Sequence, residues 1–186
     1  MLKKFIPLIV FFLFCACSPI FQVKPRQEVP LSKMEAKVSN NIIEMQAKIL
    51  SEDQVVEDFD ANLILAGTIP IQITITNQTQ QPIVFIEKDF SLLDFNGQQL
   101  SNLKAKEALE SLLDYYKIRA YNPYSYEKIQ TNFLTHSLLL KEALMPNESR
   151  SGLLYFKLKK ATSTKGLKLK LSRKKIFAES LILALN

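Results

Sequence analysis

Tryptophan is absent from the 186 residues, and histidine (1), cysteine (2) and glycine (4) are scarce. Each shortage removes a class of chemistry. The one histidine, His136, would have to serve any His-containing metal site or any Ser-His-Asp arrangement. It sits among Leu134, Leu138 and Leu139 on an expected helix, where it reads as a structural residue. No glycine-rich phosphate loop and no HExxH pair occur. Carboxylates that could work as a pair, such as Asp89 with Asp94, carry no sequence mark of burial. No catalytic residue, metal ligand or cofactor is therefore expected. Four glycines and eight prolines leave little room for a long low-complexity region.

Both cysteines, Cys15 and Cys17, lie at the start of the chain. Lys3 and Lys4 are followed by a 12-residue apolar stretch over 5–16, interrupted only by Pro7. A transmembrane helix needs roughly 20 residues. A positive start, a short apolar segment and a small residue before the cut read instead as a secretory signal. Phe14-Cys15-Ala16-Cys17 resembles the lipobox of bacterial lipoproteins, in which a small residue precedes an invariant cysteine. Ala16 fits, whereas Phe14 stands where the family usually has Leu. The resemblance implies a signal peptide over 1–16, cleavage before Cys17, and diacylglycerol on its sulfur. A thiolate is the nucleophile that accepts such a lipid. Buried acyl chains give about 0.8 kcal/mol per CH₂, so two or three chains anchor firmly where one does not. The plain alternative is an ordinary signal peptide with an incidental cysteine. In enteric-type members an Asp after the cysteine favours the inner membrane, so Ser18 leans towards the outer membrane. Loss of Cys15 and acylation of Cys17 would leave no free thiol and no disulfide.

The remaining 170 residues carry 22 basic and 18 acidic side chains, a mild excess of +4. A domain of that size buries roughly 70% of its unfolded surface and needs no disulfide. The basic residues cluster late, at Lys157, Lys159, Lys160, Lys165, Lys168, Lys170, Arg173, Lys174 and Lys175. Such a cluster can meet phosphate, but alternation places Lys168 and Lys170 on one side of a strand, as a solvated face would.

Residues 17–40, with Pro19, Pro25 and Pro30, read as the lipidated cysteine and an extended tether. A domain over 41–186 follows. Residues 41–50 alternate, with Ile43, Met45, Ala47 and Ile49 on one face. Residues 51–60 are acidic and read as an exposed loop, lacking the ligand spacing and turn glycine of a calcium loop. Residues 69–77 form the clearest strand, with Ile71, Ile73 and Ile75 opposite Gln72, Thr74 and Thr76. Further strands are expected over 83–87, 90–95, 153–158, 167–171 and 181–185. Asp94-Phe95-Asn96-Gly97 supplies a tight turn. Leucines at helical spacing over 103–116 and a second such pattern over 126–144 predict a helical hairpin inserted at about 102–145.

Gly67-Thr68-Ile69-Pro70-Ile71-Gln72-Ile73-Thr74-Ile75-Thr76-Asn77 precedes Phe90-Ser91-Leu92-Leu93-Asp94 and Asn96-Gly97, then Leu144-Met145-Pro146 and Gly152-Leu153-Leu154-Tyr155-Phe156. This pattern, over roughly 42–186, resembles the immunoglobulin-like domain of uncharacterised bacterial lipoproteins. It implies a mostly β protein, an immunoglobulin-like antiparallel β-sandwich with an inserted helical hairpin, on a lipid tether. It carries over no catalytic residues.

Recognition chemistry gathers at the turn between the expected helices. Tyr115, Tyr116, Tyr121, Tyr124 and Tyr126 fall there, with Lys117, Arg119 and Lys128 nearby. Tyr and Arg are enriched in the cores of contact surfaces. The tyrosines could equally pack the hairpin onto the sandwich. Nucleic-acid stacking suits the residue types but not a lipid-tethered envelope protein. The expected function is a non-enzymatic protein-interaction or assembly module of the envelope, held to the membrane through lipid on Cys17. The alternative is a small-molecule or lipid-binding module with a pocket between hairpin and sheet.

Overall fold

The computed structural model describes residues 21–26, 36–118, 123–158, 164–173, 176 and 179–185. Among them nine strands form two antiparallel sheets. The first has the order β1-β2-β3-β7-β6, built from β1 (Ala36–Ser39), β2 (Ile43–Ile49), β3 (Thr68–Asn77), β7 (Ser149–Lys157) and β6 (Asn102–Leu103). The second has the order β5-β4-β8-β9, from β5 (Gln99–Leu100), β4 (Phe90–Leu93), β8 (Lys168–Leu171) and β9 (Leu181–Ala184). Three helices accompany them: α1 (Glu52–Phe59), α2 (Ala105–Tyr115) and α3 (Pro123–Thr135).

Period-2 alternation sorts β3 into two buried faces. Ile69, Ile71, Ile73 and Ile75 meet Met45 and Ala47 of β2, Leu154 and Phe156 of β7, and Phe90, Leu92, Leu169, Leu171 and Leu183 of the second sheet in one core. The two sheets thus pack face to face, as stacked sheets do. The opposite face of the first sheet carries Gln72 and Thr74, and both are buried there. The helices form a third layer over it. Leu153 and Tyr155 of β7 pack with Val55, Phe59, Leu63, Leu109, Leu112 and Phe133 in a second core.

Several sequence expectations are corrected. The acidic stretch 51–60 is helix α1 rather than a loop. Ser51 caps it, accepting from the Gln54 amide at 3.3 Å while the Gln54 side chain accepts from the Ser51 amide at 3.2 Å. Val55 and Phe59, four residues apart, turn inward together. Residues 83–87 are not a strand. Ile83 makes a lone bridge to Leu144, and a 3-10 turn follows at Glu87–Asp89. Residues 17–40 are not tether throughout. Residues 36–39 are strand β1, and residues 21–26 lie against the helical layer. The helix expected over 126–144 stops at Thr135. From there residues 136–138 run parallel to β7, with the Leu153 amide donating to the His136 carbonyl at 2.7 Å and the Leu138 amide to the Leu153 carbonyl at 3.0 Å. Residues 1–16 and Cys17 lie outside the described residues.

Candidate functional site

Helices α2 and α3 are antiparallel, as the first sheet dictates. Leu103, just before α2, pairs with Tyr155, and Ser137, just after α3, bridges to Leu153. The start of α2 and the end of α3 therefore share one edge, and their other ends meet away from it. Ala108, Leu109, Leu112 and Leu113 bury one face of α2. On α3, Phe133 is buried, and Tyr126 and Ile129 are half-buried against the same core.

The far end of the pair carries three of the five singled-out tyrosines on its surface: Tyr115 is 52% exposed, Tyr116 40% and Tyr124 76%. The Tyr115 and Tyr116 rings meet edge to face at 4.9 Å. Lys117 takes a left-handed φ of 53°, and the Ile118 amide donates back to the Leu113 carbonyl at 2.9 Å, closing α2. Tyr126 belongs to the packing rather than the surface. Tyr121 and Arg119 lie outside the described residues.

A feature that sequence reasoning missed completes this tip. The Tyr116 hydroxyl accepts from the Asn62 amide at 3.1 Å. The buried Asn62 side chain accepts from the Ile64 and Leu65 amides at 2.9 and 3.1 Å and donates to Glu52 at 2.9 Å. The resulting turn holds Leu65 out, 56% exposed. The signal in sequence is an Asn ahead of an apolar run that ends at a glycine, Gly67, with φ of 80°.

Residues 21–26 form a strap across the helical layer. Phe21 and Val23 insert into the second core. The Gln22 amide donates to Asp60 at 3.2 Å, the Lys24 amide to the Asp58 carbonyl at 2.9 Å, and the Asn132 side chain to the Val23 carbonyl at 2.8 Å. The Arg26 guanidinium donates to the Ser151 carbonyl. His136 is 3% exposed, with Nε2 donating to the Lys24 carbonyl at 2.7 Å and its ring 4.7 Å from that of Phe59. Burial holds its pKa below the usual value, against the hydrogen bond to Lys24 and the charge of Asp58. Burial raises the pKa of Asp58. Both effects favour neutral groups beneath the strap.

The remaining candidate chemistry is spent on structure. Asp89 accepts from the Ile86 amide at 2.9 Å, and Asp94 from the Asn96 and Gln98 amides at 2.9 and 2.8 Å. Burial raises the pKa of Tyr155, whose ring stacks on Phe133 at 5.4 Å. Among the described residues no group of three or more His, Cys, Asp or Glu could hold a metal ion, and no helix is long and apolar enough to cross a membrane. A cavity of about 60 Å³ lies at the seam lined by Asn102, Lys104, Ser137 and Tyr155, and one of about 10 Å³ beside Phe85 and Leu144. Small-molecule sites occupy roughly 300–1,000 Å³.

No family model and no curated protein matches the chain. Two solved structures from Bacillus subtilis resemble it. A candidate lipoprotein (ycdA) is 13% identical with a TM-score of 0.42, and the match covers 83% of this chain but 39% of that one. The yjhA protein is 10% identical with a TM-score of 0.46, over 81% of this chain and 96% of that one.

Proposed function

We propose that this chain is a bacterial envelope lipoprotein, anchored through lipid on Cys17, whose immunoglobulin-like sandwich carries a non-enzymatic contact surface at the tip of its helical pair. The observation that carries this reading is the pairing of an exposed aromatic tip with a filled interior. Tyr115, Tyr116, Tyr124 and Leu65 face outward. Beneath the helices, Phe59, Phe133, Leu109 and Leu112 are packed to near-complete burial. A ligand-binding module would need space between helices and sheet, and among the described residues the second core there is filled by side chains. Rigid aromatic side chains over a solid core suit recognition by contact. The outer membrane is the compartment Ser18 favours.

The lipid is tested by intact mass and N-terminal peptide mass of protein purified from membranes. A mature chain beginning at Cys17 and carrying the added mass of diacylglycerol is the expected result. A chain that starts elsewhere, or at Cys17 without fatty acid, overturns the anchoring.

A further inference from the structure

The strap fixes the position of Phe21, the first described residue after the proposed anchor at Cys17. It climbs α3 as its residue numbers fall: the Lys24 carbonyl meets His136, and the Val23 carbonyl meets Asn132, one turn nearer the tip. Gln22 then bonds Asp60, two residues from Asn62, which holds Tyr116. Cys17 precedes Phe21 by four residues, a covalent reach of at most about 14 Å. A domain of this size has a radius of gyration of roughly 15 Å. The link is therefore too short for the domain to tumble freely above a bilayer that holds Cys17.

We infer that the helical tip, Leu65 with Tyr115, Tyr116 and Tyr124, rests in the interfacial layer of the membrane that holds the lipid on Cys17. The inference rests on the proposed anchoring and names the partner of the contact surface: lipid. Tyrosine rings suit the headgroup level, where one edge is apolar and the other wet. An exposed leucine held on a capped turn adds an apolar point beside them. Charge near the tip is mixed, with Lys117 close to Asp114 in sequence, Glu52 bonded to Asn62 and Glu57 paired with Lys24, so the adhesion does not rest on attraction to anionic lipid. The contact is aromatic, and it survives high salt. The exposed Phe95, at the β4–β5 turn of the second sheet, lies across the first sheet from the helical layer and is expected to stay clear of the bilayer.

The absence of tryptophan makes the test clean, since one introduced indole is the sole reporter. Tyr124→Trp, Leu65→Trp and Phe95→Trp are each made in the full chain, and the lipidated product is placed in bilayers of phosphatidylethanolamine and phosphatidylglycerol with brominated acyl chains. The expected result is loss of most indole emission at positions 124 and 65, unchanged in high salt, with position 95 unaffected. Equal emission at all three positions, quenching that salt abolishes, or a protein crosslinked through position 124 while its indole stays bright overturns the inference. A parallel arm replaces the lipid with a polyhistidine tag ending at position 17, on vesicles of nickel-chelating lipid. Failure of acylation with quenching retained in this arm removes the lipoprotein reading and leaves the tip's affinity for lipid standing. Acylated protein without quenching does the reverse.

Discussion

At Gly152 the constraint is steric. A β-carbon there would lie 2.4 Å from Leu138 Cα and 2.5 Å from its nitrogen, both backbone atoms that cannot step aside. The missing side chain lets residues 136–138 lie alongside β7, and that pairing ends the helical layer and positions His136. Gly152→Ala is expected to lower stability by about 3 kcal/mol, read as a lower urea midpoint with unchanged slope. Arg150 acts nearby through geometry. Its guanidinium donates to the carbonyls of Leu139, Glu142 and Ala143 at 2.9, 2.8 and 2.9 Å and to Glu148 at 2.8 Å. The Glu148 carboxyl also accepts from the Met145 amide, and that bond, then Arg150, holds its pKa below the usual carboxylate value. Lysine keeps the charge but not the planar fork. Arg150→Lys is expected to cost about 1–3 kcal/mol and to speed proteolysis between 139 and 148, measured by limited digestion. Equal digestion rates would show that the carbonyl bonds do not hold that loop.

At the scale of elements, the strap and α3 are joined through a histidine that must stay neutral. His136 has a folded pKa below its unfolded value of about 6.5, chiefly through burial. Above both values protonation plays no part. As pH falls below about 6.5 the unfolded chain binds the proton first, so stability declines until the folded pKa is reached. Asp58, raised by burial, works the other way at lower pH, since the folded state takes its proton more readily. Denaturant melts between pH 7.5 and 5.5 isolate the histidine. Wild type is expected to weaken across that window, and His136→Gln to lose the slope while starting less stable. A slope that survives in His136→Gln would assign it to another group. Sequence gave no warning of the strap: Phe21 and Val23 are only two alternating apolar residues among three prolines, too short a pattern to separate a docked segment from a tether. The acidic helix α1 was hidden similarly, because four carboxylates outweigh the two inward residues Val55 and Phe59. By contrast β2, β3, β7, β8, β9 and the existence of α2 and α3 were legible, since each repeats its apolar period through two or more cycles. For the candidate site, the tyrosine cluster could be read from the sequence. Which tyrosines stay exposed could not, because burial of Tyr126 and the contribution of Leu65 depend on distant packing.

At the scale of the whole molecule, the first sheet is shared by both cores. Along β7, Leu154 and Phe156 enter the core between the sheets, while Leu153 and Tyr155 enter the core beneath the helices. Along β3, the Ile69–Ile75 face serves one core, and Gln72 and Thr74 are covered on the other. Neither layer can leave without stripping one face of the same strands, so loss of the helices exposes Leu153 and Tyr155 to water and weakens the sheet that the second core needs. Phe133 tests this coupling because it is fully buried, stacks on Tyr155, and belongs to the core beneath the helices. Phe133→Ala removes a large side chain from a packed site and is expected to cost about 3–5 kcal/mol, a large share of the roughly 5–15 kcal/mol that holds a typical domain together. Phe133→Leu, which keeps most of the volume, retains a folded protein for comparison. Unfolding followed by far-ultraviolet circular dichroism, which reads strands and helices, and by tyrosine fluorescence, which weights the helical layer, is expected to give coincident transitions in wild type and in both variants. If Phe133→Leu instead splits the curve, with the tyrosine signal lost at lower denaturant than the strand signal, the helical layer is a separable unit and the shared sheet does not couple the two cores.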